Sequence, residues 1–113
     1  MTEPVSPQEI DDLPGVQHSF QADRDFEKIY ETSPEAGALC DISSVCLKFA
    51  GNMAEQAGLG SLERMVATCD DQRLMLFSLN AKNATPPGPR IFGITTDTTV
   101  KIEKISKQIT ALL

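Results

Sequence analysis

The stretch that decides the fold is residues 34–58, PEAGALCDISSVCLKFAGNMAEQAG. Leu39, Ile42, Cys46, Phe49 and Met53 recur in it at alternating spacings of three and four. That pattern marks one face of a helix buried along its length. The flanks are apolar as well: Ala38 and Val45 on one side, Leu47, Ala50, Ala54 and Ala57 on the other. At ~100° per residue these positions cover an arc of roughly 200°, about twice the stripe that one core requires. Asp41, Ser44, Lys48, Asn52 and Glu55 are confined to the remainder. The stripe from Leu39 to Met53 is expected to face the helix's own sheet, and the surplus flank then needs a second cover.

The segments on either side predict the rest. Ser6-Pro7-Gln8-Glu9 reads as a capping box with proline at the first helical position, so a short helix begins there and stops at Leu13-Pro14-Gly15. In residues 16–22, Val16, His18, Phe20 and Ala22 alternate with polar side chains. The link Asp23-Arg24-Asp25 joins that strand to residues 26–32, predicting a hairpin. Ser33-Pro34 opens the long helix, and Gly58 and Gly60 close it. Residues 62–69 and 73–79 read as two strands around Asp70-Asp71-Gln72, residues 80–89 as a proline-rich loop, and residues 90–95 as a last strand. Asp97 or Thr98 can cap a final helix in which Ile102, Ile105, Ile109 and Leu112 repeat the three–four spacing. The order α-β-β-α-β-β-β-α predicts an α+β fold, a five-stranded antiparallel sheet sandwiched by helices. Residues 1–12 read as a short tail and helix, and residues 13–113 as a single domain.

Composition narrows the function. The chain has 113 residues and a net charge of −6, which argues against generic binding to nucleic acid or to an anionic membrane. The charge is uneven: residues 1–41 hold ten acidic side chains against Arg24 and Lys28 alone, whereas the remainder is mildly basic. Cys40, Cys46 and Cys69 are odd in number and lack C-x-x-C spacing, so they read as small buried or half-buried hydrophobes of a reducing compartment. No signal peptide, lipidation motif or membrane-length apolar run is visible, and the expected location is the cytoplasm without membrane insertion.

The search for chemistry finds little. His18 is the single histidine, and no second ligand or base stands at a useful spacing from it. Asp23, Asp25, Asp70 and Asp71 fall in tight turns, where aspartate caps backbone N–H groups, and neither cluster has the spacing of a calcium loop. No G-x-S-x-G motif supports a nucleophile. Gly58-Leu59-Gly60 follows a helix instead of opening one, so it is no phosphate cradle. Lys101, Lys104 and Lys107 line one side of the last helix and read as a solvated face. No catalytic residue, cofactor or metal is expected, and the chain reads as a non-enzyme.

With the element order, several phrases resemble the Roadblock/LC7 family. They are Leu13-Pro14-Gly15-Val16, Ala22-Asp23-Arg24-Asp25 and Glu55-Gln56-Ala57-Gly58-Leu59-Gly60. After them come Leu62-Glu63-Arg64-Met65-Val66 and Arg73-Leu74-Met75-Leu76-Phe77-Ser78-Leu79. The resemblance covers most of residues 13–113, and the final helix points to the bacterial and archaeal branch. The short first helix, the polar first strand and the long loop at 80–89 depart from the family pattern.

The resemblance implies a non-enzymatic homodimer in which long helices pack together and third strands pair edge to edge. It further implies docking or regulation of a small Ras-like GTPase. Carried over by position, the dimer interface comprises Ser43, Leu47, Ala50 and Ala54 of the helix with Leu62, Arg64, Val66 and Thr68 of the strand. A glutamate in place of Ala50 is then expected to split the dimer. The other class of function is a profilin-like sensor domain that binds a small molecule between sheet and helix.

Overall fold

Residues 16–23 and 88–97 pair along their length and form the centre of a five-stranded sheet. The computed structural model describes residues 2–113, so Met1 of the expected tail lies outside the described residues. Its elements are α1 (Pro7–Asp11), β1 (Val16–Asp23), β2 (Lys28–Glu31), α2 (Pro34–Gln56), β3 (Arg64–Thr68), β4 (Gln72–Ala81), β5 (Gly88–Asp97) and α3 (Ile102–Ala111). The strands lie in the order β2-β1-β5-β4-β3, and every pairing is antiparallel. This is the α+β architecture and element order that the sequence predicts.

Strand alternation divides the core in two. On one face Met75, Phe77, Phe92 and Ile94 meet Val5, Ile10, Ile105 and Ile109, so α1 and α3 cover that side. On the other, Phe20, Ala22, Leu76 and Ile91 meet Ala36, Cys40 and Leu47 of α2. Ile105 and Ile109 are fully buried, and each such side chain stabilises the fold by roughly 2 kcal/mol.

The polarity of β1 has a specific cause. Its side chains toward α1 are Ser19 and Gln21, and both hold the N-terminal segment. The Gln21 amide accepts from Val5 N–H at 2.7 Å and donates to Val5 C=O at 2.9 Å, as a neighbouring strand would. Ser19 Oγ and Tyr30 Oη each donate to the carboxylate of Asp11, which ties α1 to β1 and β2. Arg90, only 2% exposed, donates to Glu3 C=O at 2.6 Å, Thr85 C=O at 3.1 Å and Pro86 C=O at 3.0 Å. Burying its charge is tolerable because three carbonyl dipoles surround it. Val5 and Ile10 therefore belong to the same core as α3, and residues 5–12 are packed into the domain and not appended to it.

Several boundaries differ from the sequence reading. Ser6 adopts left-handed backbone, φ 41°, with no side-chain cap bond, so the capping box with Glu9 does not form. Asp97 caps no helix; it accepts from Thr99 N–H at 3.0 Å and from the Thr99 hydroxyl. These bonds hold its carboxyl below the usual carboxylate range. The β1–β2 connection runs to Glu27, because Phe26 takes a positive φ of 64° that no strand residue adopts. β4 and β5 extend to Ala81 and back to Gly88, which shortens the loop expected at 80–89.

Candidate interaction surface

α2 begins at Ser33, whose hydroxyl accepts from Ala36 N–H and shares a hydrogen bond with His18 Nδ1 at 2.8 Å. The histidine is thereby part of the helix cap. The inward side of α2 consists of small residues: Ala36, Gly37, Cys40 and Ser43 are buried together with Leu47, and Ala50 and Ala54 are half-buried. Bulk at this contact comes from the sheet, through Phe20, Leu76 and Ile91. Small helix residues over large strand residues let the two layers interdigitate at native density.

The large apolar residues point outward. Ile42 is 59% exposed, Val45 68%, Phe49 68% and Met53 59%, and Leu59 just beyond the helix is 77% exposed. This corrects the expected orientation. The stripe assigned to the core, Leu39, Ile42, Cys46, Phe49 and Met53, touches it only through half-buried Leu39 and Cys46. Ser43 and Leu47, expected at the dimer interface, lie against the protein's own sheet instead, and the Ser43 hydroxyl donates to Cys40 C=O at 2.7 Å. Ala50 and Ala54 face the same way. Two apolar stripes share one helical period here, and periodicity alone does not say which of them meets the home sheet. The discriminating signal was residue size.

β3 pairs with β4 alone among the described residues, so its other edge offers unpaired backbone N–H and C=O groups. Of the residues expected there, Leu62 is half-buried under the α2 face and Val66 packs against the core on the α3 side. Arg64 is exposed and turned back onto α3, donating to Glu103 at 2.8 Å and Ser106 at 2.9 Å. Thr68 is exposed and accepts from Arg73 Nε at 3.2 Å. A cleft of about 600 Å³, lined by Ala54, Leu59, Leu62 and Arg64 among others, joins the end of α2 to β3. Leu59 and the C-terminal end of α2 thus border the β3 side of the sheet.

Other candidates are not assembled into chemistry. Among the described residues, no three His, Cys, Asp or Glu side chains converge as metal ligands, and no helix is long and apolar enough to cross a membrane. Cys40 is buried, and desolvation pushes its thiol pKa up, away from the reactive thiolate. Cys69 is exposed, contrary to its expected burial, because it lies in the β3–β4 turn, beyond the last residue of β3. Lys101, Lys104 and Lys107 are all exposed.

The sheet order, the long helix on one face and the two short helices on the other define the Roadblock/LC7 fold. A Roadblock/LC7 domain from Streptomyces avermitilis superposes with a TM-score of 0.73, at 9% identity over 94% of this chain and 86% of that one. MglB of Myxococcus xanthus gives 0.69 at 9% identity, over 93% of this chain and 80% of that one. The gliding protein MglB of Thermus thermophilus gives 0.72 at 12% identity, over 93% and 78%. No family model and no curated protein sequence matches the chain, and the likeness is one of fold.

Proposed function

We propose that this protein is a non-enzymatic, homodimeric regulatory platform for a small Ras-like GTPase. The observation that carries the dimer is a pair of unpartnered surfaces, the outer stripe of α2 (Ile42, Val45, Phe49 and Met53) and the open edge of β3. Covering each of those side chains is worth roughly 1–2 kcal/mol. A two-fold axis lets the stripe meet its own copy and sets two β3 edges antiparallel. A second copy therefore satisfies both surfaces with one operation. The GTPase follows from the resemblance to Roadblock/LC7 proteins, and a platform of this kind acts through different affinity for the two states of its partner.

Light scattering on a sizing column is expected to give twice the chain mass of 12.3 kDa. Titration with the small GTPase encoded nearest in the genome, loaded with GDP or a GTP analogue, is expected to give nucleotide-dependent affinity. His18→Ala and Asp23→Ala should leave that affinity within a few-fold, since neither performs chemistry. A monomer at high concentration removes the dimer. Binding indifferent to nucleotide, or none, removes the GTPase while leaving the dimer intact.

A further inference from the structure

A second opening lies on the opposite flank of α2, away from the outer stripe. It is an open groove of about 260 Å³ between the C-terminal half of the helix and the sheet. Phe26, Leu47, Leu62 and Ile91 give it apolar walls. An engineered cavity of ~150 Å³ holds benzene, so this groove has room for a ring or short alkyl chain and a polar group besides.

The helix is notched at this point. Gly51 lines the groove, and a Cβ built on it would meet nothing within 4 Å. Glycine inside a helix costs about 1 kcal/mol relative to alanine, and no neighbour requires it here. Gly37 on the same helix differs, because a Cβ there would fall 1.8 Å from the Glu31 carboxylate. At Gly51 the missing side chain leaves that part of the helix wall bare.

Two cationic side chains stand at the rim of the opening. Arg24 and Lys48 both line it, and the ion pairs among the described residues, Lys28–Glu31 and Arg64–Glu103, involve neither. Lys48 Nζ stands 5.5 Å from the centre of the Phe26 ring, so one cation is held against the apolar wall. Asp23, beside Arg24 in sequence, has its Oδ1 engaged by Asp25 N–H at 2.8 Å and Glu27 N–H at 3.0 Å. Glu55 is the one carboxylate lining the groove. Arg24 and Lys48 thus stand at the rim of an apolar floor, free of the ion pairs seen among the described residues.

We propose that this groove binds a small organic carboxylate carrying one ring or a short alkyl chain. The apolar part lies against Leu47, Leu62 and Ile91, and the carboxylate meets Arg24 and Lys48 at the mouth. The assignment does not use the outer stripe of α2, although Leu62 also lines the cleft beside β3.

The test is a titration of the full chain with 3-phenylpropionate, followed by amide ¹H–¹⁵N shifts, beside the neutral 3-phenylpropan-1-ol. Saturable shifts are expected at Gly51, Leu62 and Ser78, with the alcohol weaker by about tenfold or more. Arg24→Gln with Lys48→Gln should abolish the preference for the acid. Gly51→Leu should fill the groove and remove binding, while Gly51→Ala keeps the fold. Equal binding of the alcohol, or shifts confined to Ile42, Phe49 and Met53, overturns the proposal. So does a Gly51→Leu variant whose particle mass changes while its binding does not, because the notch then serves an interface. Absence of any saturable shift overturns it as well.

Discussion

At Gly93 in β5, a neighbour's ring occupies the space of the missing side chain. A Cβ there would lie 1.8 Å from Phe20 Cε2 and 2.4 Å from Cζ, and Phe20 is only 1% exposed, so the ring has no free volume to enter. Gly93→Ala is expected to destabilise the fold by about 1–3 kcal/mol, lowering the melting temperature by roughly 4–13 °C in a thermal melt. Trimming the ring with Phe20→Leu should recover part of that loss in the double variant, since the two sites share one contact. A glycine inside a strand reports a close approach, but it does not name what approaches. The identity of the ring was fixed only by the pairing of Phe20 with Gly93 across β1 and β5.

At the scale of elements, Tyr30 joins α1 to the hairpin through Asp11. Its hydroxyl is pushed up from 10.0 to about 12, first by the hydrogen bond to Asp11, then by burial and by the charge of that carboxylate. A tyrosine whose pKa rises on folding adds stability that is fully present below its unfolded value and is lost as pH climbs through the folded one. The window here runs from about pH 10 to about 12. Tyr30 is the single tyrosine of the chain, so an absorbance titration reads it directly. Its midpoint should fall back toward the ordinary value in Asp11→Asn, and that variant should lose less stability across the same window. The strands, α2 and α3, and their succession along the chain, were legible because alternation and the three–four spacing are local signals. The contacts of Ser19, Gln21 and Arg90 were not, since they join residues far apart in sequence, as in the bond from Arg90 to Glu3. The rotation of α2 escaped for another reason: its sheet-facing side is the less hydrophobic of its two apolar stripes.

For the whole molecule, the orientation of α2 decides which substitutions separate two copies and which unfold one. Ala50 is half-buried on the side turned to the sheet, whereas Phe49, next to it in sequence, is 68% exposed. Adjacent helix positions differ by ~100° in direction, so this pair separates folding from association. Ala50→Glu presses a carboxylate toward the sheet, and burying an unpaired charge there costs several kcal/mol. The expected result is a lowered melting temperature or insolubility, measured at any protein concentration. Phe49→Glu places its charge in solvent in the isolated chain and in a dry seam in the dimer. It should leave the circular dichroism spectrum and the melting temperature of dilute protein unchanged, yet halve the mass measured by light scattering at high concentration. The wild-type melting temperature should rise with concentration, because association stabilises the folded state by mass action, and the variant's should not. A variant that stayed dimeric would place the association surface off this helix, and the exposed stripe would then need a different partner.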